Sequence, residues 1–155
     1  METIEFRSVR WSVRKIFDLY TSGQLLVLDI PVPERYGSHL IALILMRGYI
    51  PHIVLDSIGH PSKPIEVVEG NAIIGSIVSF MQGKFSINSD FVSFEFFVGK
   101  SYSELSRAYQ RFLEQTMVAV DQVVVGTSPT MASLFRVVNT GYGDLPNKFL
   151  NASKG

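Results

Sequence analysis

The apolar positions of this chain fall into short blocks, and their period changes from block to block between that of a helix and that of a strand. After Ser12, the residues Val13, Ile16, Phe17 and Tyr20 recur at three- and four-residue spacing. They predict one face of a helix, with Ser12 as its N-cap and Gly23 as its stop. QLLVLDI, residues 24–30, has the length and content of a strand, and PVPERYG with its two prolines reads as a loop. HLIALILMRG predicts a second helix, capped by Ser38 and closed by Gly48. IPHIVLDSI (50–58) predicts a strand, GHPSKP a turn and PIEVVEG a third strand. In NAIIGSIVSFMQ (71–82), stopped by Gly83, the apolar residues run nearly all round the helix, which marks a buried element.

Downstream, SDFVSFEFFVG (89–99) alternates as a strand does, and SYSELSRAYQRFLEQ opens a helix with capping-box spacing. Ser101 with Glu104 fits the box, and Ser103 is the alternative cap. MVAVDQVVVG (117–126) is a β-branched strand. SPTMASLFRVVN predicts a helix with Ser128 as cap and Pro129 in its first position. TGYGDLP is a glycine-rich turn, and NKFLNA begins a last helical turn. The expected order is helix, strand, helix, strand, strand, helix, strand, helix, strand, helix. That order describes an α+β (mixed α/β) domain with helices packed on a small mixed sheet. The length, 155 residues, suits one such domain across residues 1–155.

Composition narrows the chemistry. With 14 basic and 14 acidic residues the net charge is zero, so nothing general attracts the chain to DNA or anionic lipid. Locally, Arg7, Arg10, Arg14 and Lys15 cluster. They read either as a DNA-contacting patch or as the solvated face of a helix. The absence of cysteine excludes disulfides, thiolate metal sites and cysteine nucleophiles. His39, His52 and His60 form no metal-ligand pair, and His52, following Pro51, reads as structural. The N-terminus lacks the apolar core of a signal peptide, and no apolar run reaches the roughly 18 residues of a membrane span. A soluble, cytoplasmic protein is expected. Trp11, Phe94, Phe96 and Phe97 read as core or interface.

The chemically suggestive stretch is EVVEGNAI, where a strand runs through Glu69-Gly70 directly into a helix. A helix N-terminus behind a glycine turn offers free N–H groups and a partial positive charge, the setting in which phosphates bind. Two further stretches stand in order around it: Pro31-Val-Pro-Glu34-Arg35 followed by LIALILMRGYIP, and Phe135-Arg-Val137-Val-Asn139-TGYGDL. Together the three resemble the ParB/sulfiredoxin-like domain found at the N-terminus of GmrSD-type, modification-dependent restriction enzymes. The resemblance runs from WSVRKIFDLYTSGQL to LNA, almost the whole chain.

The resemblance implies nucleotide binding, often with NTP-driven or direct DNA cleavage, in active members, whose D-G-Q-Q-R turn contacts phosphate; Glu34 and Glu69 could separately form a carboxylate pair that binds Mg²⁺. Against that turn this chain has Glu69, Gly70, Asn71, Ala72 and Ile73. In the first motif, P-x-x-Q-R, Glu34 replaces the glutamine and Arg35 stays. In the third, F-x-R-x-N-T-G-G, Val137 replaces the arginine, Arg136 lies beside it, and Phe135, Asn139 and Gly141 stay. What the resemblance thus leaves is Glu69 and Arg35 as catalytic candidates and Gly70, Asn71, Arg136 and Asn139 as phosphate-binding candidates.

A bare helix end contributes about 0.3–1 kcal/mol per favourable charge, against roughly 8 kcal/mol for micromolar affinity. The difference has to come from arginine forks and amides. Ile73 and Val137 donate nothing, and Glu34 and Glu69 repel phosphate unless a metal ion lies between them. Each candidate also has a plain reading. Glu34 and Glu69 can be solvated or paired with Arg35, Arg35 can tie down its loop, and Asn71 can be a helix cap. Asn139 can end the preceding helix in a left-handed conformation, with Gly141 and Gly143 permitting the turn. Phe135 reads as core.

The expectation is therefore a degenerate domain that binds or regulates, through a protein partner or self-association, in a DNA-processing, restriction or anti-restriction setting. A phage or mobile-element origin would suit such a stripped-down copy. The alternative is a surviving NTPase or metal-dependent nuclease using NTP and Mg²⁺. A third reading is sequence-neutral DNA binding through Arg7, Arg10, Arg14 and Lys15.

Overall fold

The computed structural model describes residues 5–90 and 96–125. Residues 91–95 of the expected strand at 89–99, and the elements expected beyond 125, lie outside that range. The described elements are β1 (Glu5–Ser12), α1 (Val13–Thr21), β2 (Leu25–Leu26), α2 (Glu34–Arg47), β3 (Ile53–Asp56), β4 (Ile65–Glu69), α3 (Asn71–Met81), a 3-10 turn (Tyr102–Glu104), α4 (Arg107–Gln115) and β5 (Met117–Val125). The strands form one mixed sheet in the order β1-β5-β3-β4-β2. β1 runs antiparallel to β5, β5 parallel to β3, β3 antiparallel to β4, and β4 parallel to β2. The class is α+β, as the periodicity predicts.

Local signals account for the helices. Ser12 caps α1 by accepting from the Lys15 amide at 3.1 Å. Gly48, in the left-handed region at φ 63°, closes α2 with its N–H on the Ile44 carbonyl. The capping box also forms, with Glu104 accepting from the Ser101 amide at 3.0 Å. It starts only a single 3-10 turn, however, and α4 begins afresh at Ser106, which accepts from the Tyr109 amide.

Several expectations are corrected. β1 was not expected as a strand: five of its eight residues are exposed and only Val9 and Trp11 pack against the core, so its alternation is faint. Arg7 and Arg10 are consequently strand residues, not part of a helix face. α2 starts at Glu34, behind Pro33, and not at a Ser38 cap. Ser38 is fully buried inside the helix, where its hydroxyl accepts from the Asn88 amide at 3.0 Å. β2 is cut to two residues because the Leu28 N–H goes to the Asn71 side chain, at 2.7 Å, and not to a strand neighbour. β3 spans 53–56 and not 50–58, although the Ser57 N–H still reaches the Val123 carbonyl. Phe96–Gly99 turns where a strand was expected, with Phe97 buried and Phe96 exposed.

One face of the sheet, through Ile53, Leu55, Ile65, Val67, Val118 and Val120, packs in a single core with α2 (Leu40, Ile41, Ile44, Leu45) and α3 (Ile73, Ile74, Ile77, Phe80). Val54 and Val68 form a separate pair. α3 is buried nearly all round, as its sequence predicts, and its Phe80 ring meets Phe85 at 5.4 Å and Tyr102 edge-on at 6.1 Å. Among the described residues no helix is long and apolar enough to cross a membrane.

Candidate functional site: the cleft beside the Gly70 turn

β4 ends at Glu69 and the chain swings through Gly70 at φ 105° into α3. Only glycine fits here on two counts. The φ is unfavourable for any L side chain, and a Cβ would stand 2.5 Å from Ile53 Cγ2. The turn expected from EGNAI is thus formed, and the Ile74 N–H bonds the Gly70 carbonyl at 3.0 Å.

Two side chains of that turn, Asn71 and Ile73, look inward. Asn71 is buried; its Oδ1 accepts from the Leu28 N–H at 2.7 Å and its Nδ2 donates to the Val67 carbonyl at 3.2 Å. The amide is not a cap of its own helix. It ties the segment after β2 to the end of β4. Ile73, in the position of the family's arginine, belongs to the core.

Beside this turn lies a cleft of about 640 Å³. Its wall is the segment Val27–Glu34, Gly37 of α2, Asn71, Gly75, Ser76, Val78 and Ser79 of α3, Lys84 and Phe85 after it, and Tyr20 of α1. The fold thus brings the first two motifs together, since Pro31, Pro33 and Glu34 share a wall with Asn71. Arg35 and Glu69 are not on it. Arg35 is exposed on α2, and Glu69 is half-buried in register with Val54. Phe85 presses on Gly37, where a Cβ would be 3.1 Å from the ring, whereas Gly75 faces open space. Arg136, Asn139, Phe135 and the rest of the third motif lie outside the described residues.

The electrostatics of the cleft follow from its lining. Among the described residues it carries the carboxylates of Asp29 and Glu34 against one ammonium, Lys84. Glu34 is oriented by a bond from Asn88 Nδ2 at 2.9 Å. The Ser76 hydroxyl is buried on the wall and makes no hydrogen bond. The sequence signal for it was weak: Ser76 and Ser79 are two serines in a mostly apolar helix, and nothing local tells which is buried. No group of three or more carboxylate or imidazole side chains among the described residues could hold a metal ion.

The basic cluster does not form a single patch. Arg7 and Arg10 are three apart on a strand and so point to opposite faces. Arg14 is engaged by Asp18 at 3.2 Å and Glu114 at 3.3 Å, with Phe17 beneath it, and Lys15 lies 4.6 Å over the Trp11 ring.

Two polar clusters escaped sequence reasoning because their members are far apart in the chain. Asp121 accepts from the Ser8 hydroxyl through Oδ1 and meets His52 Nε2 through Oδ2, both at 2.6 Å. The Ser8 bond first, then His52, hold the Asp121 carboxyl below its ordinary range. The order differs from that of a hydrolytic triad, because the hydroxyl bonds the carboxylate and not the imidazole. Tyr102 donates to Glu114, and burial first, then that bond, push its phenol up to about 12.

The chain matches no protein-family model, no curated protein and no solved structure.

Proposed function

We propose that this chain is a catalytically silent domain that acts by binding. In this reading it is a reduced relative of the ParB/sulfiredoxin-like domains its motifs resemble, a partner or regulator in a DNA-processing, restriction or anti-restriction system. The observation that carries the reading is the character of the cleft. A nucleoside triphosphate is a polyanion, and tight uptake calls for arginine forks and free amides. Here the one described cation on the wall shares it with two carboxylates, the Asn71 amide is already bonded twice, and Ile73 is in the core. The glycine turn that suits phosphate persists without the side chains that would grip it.

Thermal denaturation with ATP or GTP and Mg²⁺, together with phosphate-release and plasmid-nicking assays, tests this. The expected result is no saturable rise in Tm, no released phosphate and no nicked DNA. A saturable rise in Tm with nucleotide, released phosphate or nicked DNA would overturn the proposal in favour of the NTPase or nuclease reading.

A further inference from the structure

Large apolar side chains stand exposed along one side of the helical layer. Tyr36, Leu43 and Met46 are exposed on α2, opposite the Ile41, Ile44 and Leu45 face that enters the core. Tyr49, 57% exposed, follows the Gly48 cap. Phe112 of α4, 45% exposed, lies against that cap, since a Cβ at Gly48 would come 3.2 Å from its ring. The apolar strip therefore continues from α2 onto α4. The charges that adjoin it on the two helices are of one sign: Arg47 follows Met46 on α2, Arg111 precedes Phe112 on α4, and both are exposed. The two helices put no carboxylate there. Glu34 turns to Asn88 beside the cleft, and Glu114 turns to Tyr102 and Arg14.

We infer that this face of α2 and α4 is a docking surface for an acidic, amphipathic segment of a partner protein. Aromatic residues, methionine and arginine around an apolar centre are the composition of protein interfaces. The one-signed rim selects acidic partners and repels basic ones. A second copy of the chain fits poorly, because a two-fold pairing sets this face against itself and brings arginine toward arginine with no acid between. Duplex DNA would lay phosphates over Leu43 and Met46, which gain nothing from them.

The inference builds on the binding reading above, and the two fail separately: nucleotide uptake at the cleft would defeat that reading and leave a peptide selection on this face unaffected. The test is selection of displayed random peptides on the full chain, followed by fluorescence anisotropy of the enriched sequences. Enriched peptides should be net acidic with interspersed large apolar residues. They should bind at least tenfold more weakly to Leu43→Ser/Phe112→Ser and to Arg47→Glu/Arg111→Glu. Replacing the acids of a selected peptide with lysine should restore binding to the second variant. All four positions are exposed, so both variants should keep the parent's circular dichroism, and the charge variant decides alone if the apolar one does not. Failure to enrich, enrichment of neutral or basic peptides, or acidic peptides that bind both variants as well as the parent would each overturn the inference. So would phosphatidylserine vesicles or duplex DNA whose binding these variants abolish while no selected peptide responds.

Discussion

Asn71 and Gly70 illustrate how one residue can belong to a binding motif by position and to the scaffold by contact. Asn71 bridges Leu28 and Val67, so its loss strands a part-buried donor and a buried acceptor. Asn71→Ala is expected to destabilise the fold by about 1–3 kcal/mol. Gly70→Ala meets both the left-handed φ and Ile53, and about 2–4 kcal/mol is expected. Urea denaturation measures both; a cost below about 0.5 kcal/mol at either position, the level of an ordinary surface substitution, would contradict the geometry described. The glycine was legible in the sequence because a strand-to-helix junction demands it locally. The inward turn of Asn71 was not, because its partner Leu28 lies 43 residues away.

Among the elements, strong periodicity or β-branched runs were legible, in α1, α3, β4 and β5, while boundaries and edge strands set by distant neighbours were not. α1 and α3 carry their own periodicity and stops. Ser38 stands before an apolar run as a cap would, yet its hydroxyl serves a loop 50 residues on. β1 has polar residues on both faces and becomes a strand only by pairing with β5. The cleft was half visible: its motif segments were, while its Ser76 and Lys84 wall needed the helices in place. The link between the 3-10 turn and α4 gives an element-scale prediction. The raised phenol of Tyr102 keeps the folded form protonated after an unfolded tyrosine, with its ordinary value of 10.0, has begun to ionise. Its contribution is complete below pH 10.0 and is lost as pH rises toward about 12. Thermal melts of Tyr102→Phe should therefore decline less steeply than the parent across that window. Parallel slopes would argue against the Glu114 bond.

For the molecule as a whole, the Ser8, Asp121 and His52 cluster ties the edge strand β1 through β5 to the entrance of β3. Because the Asp121 carboxyl is held low, its contribution is present above the unfolded value of 3.8 and is lost as pH falls through the lower folded one. Ser8→Ala and Asp121→Asn should each flatten the acid limb of the stability profile, and carbon NMR should show the Asp121 carboxyl rising toward its ordinary value in Ser8→Ala. An unchanged carboxyl would remove Ser8 as the principal cause.

The pairing of the first strand with the last described one also has a consequence for synthesis. Ser8 meets a partner 113 residues later, so a nascent chain emerging from the ribosome must hold EFRSVRWS unpaired until nearly all of the described domain has been made. The polar, arginine-bearing character of that segment suits the wait, because charge discourages the premature edge-to-edge association that a greasier leading strand would invite.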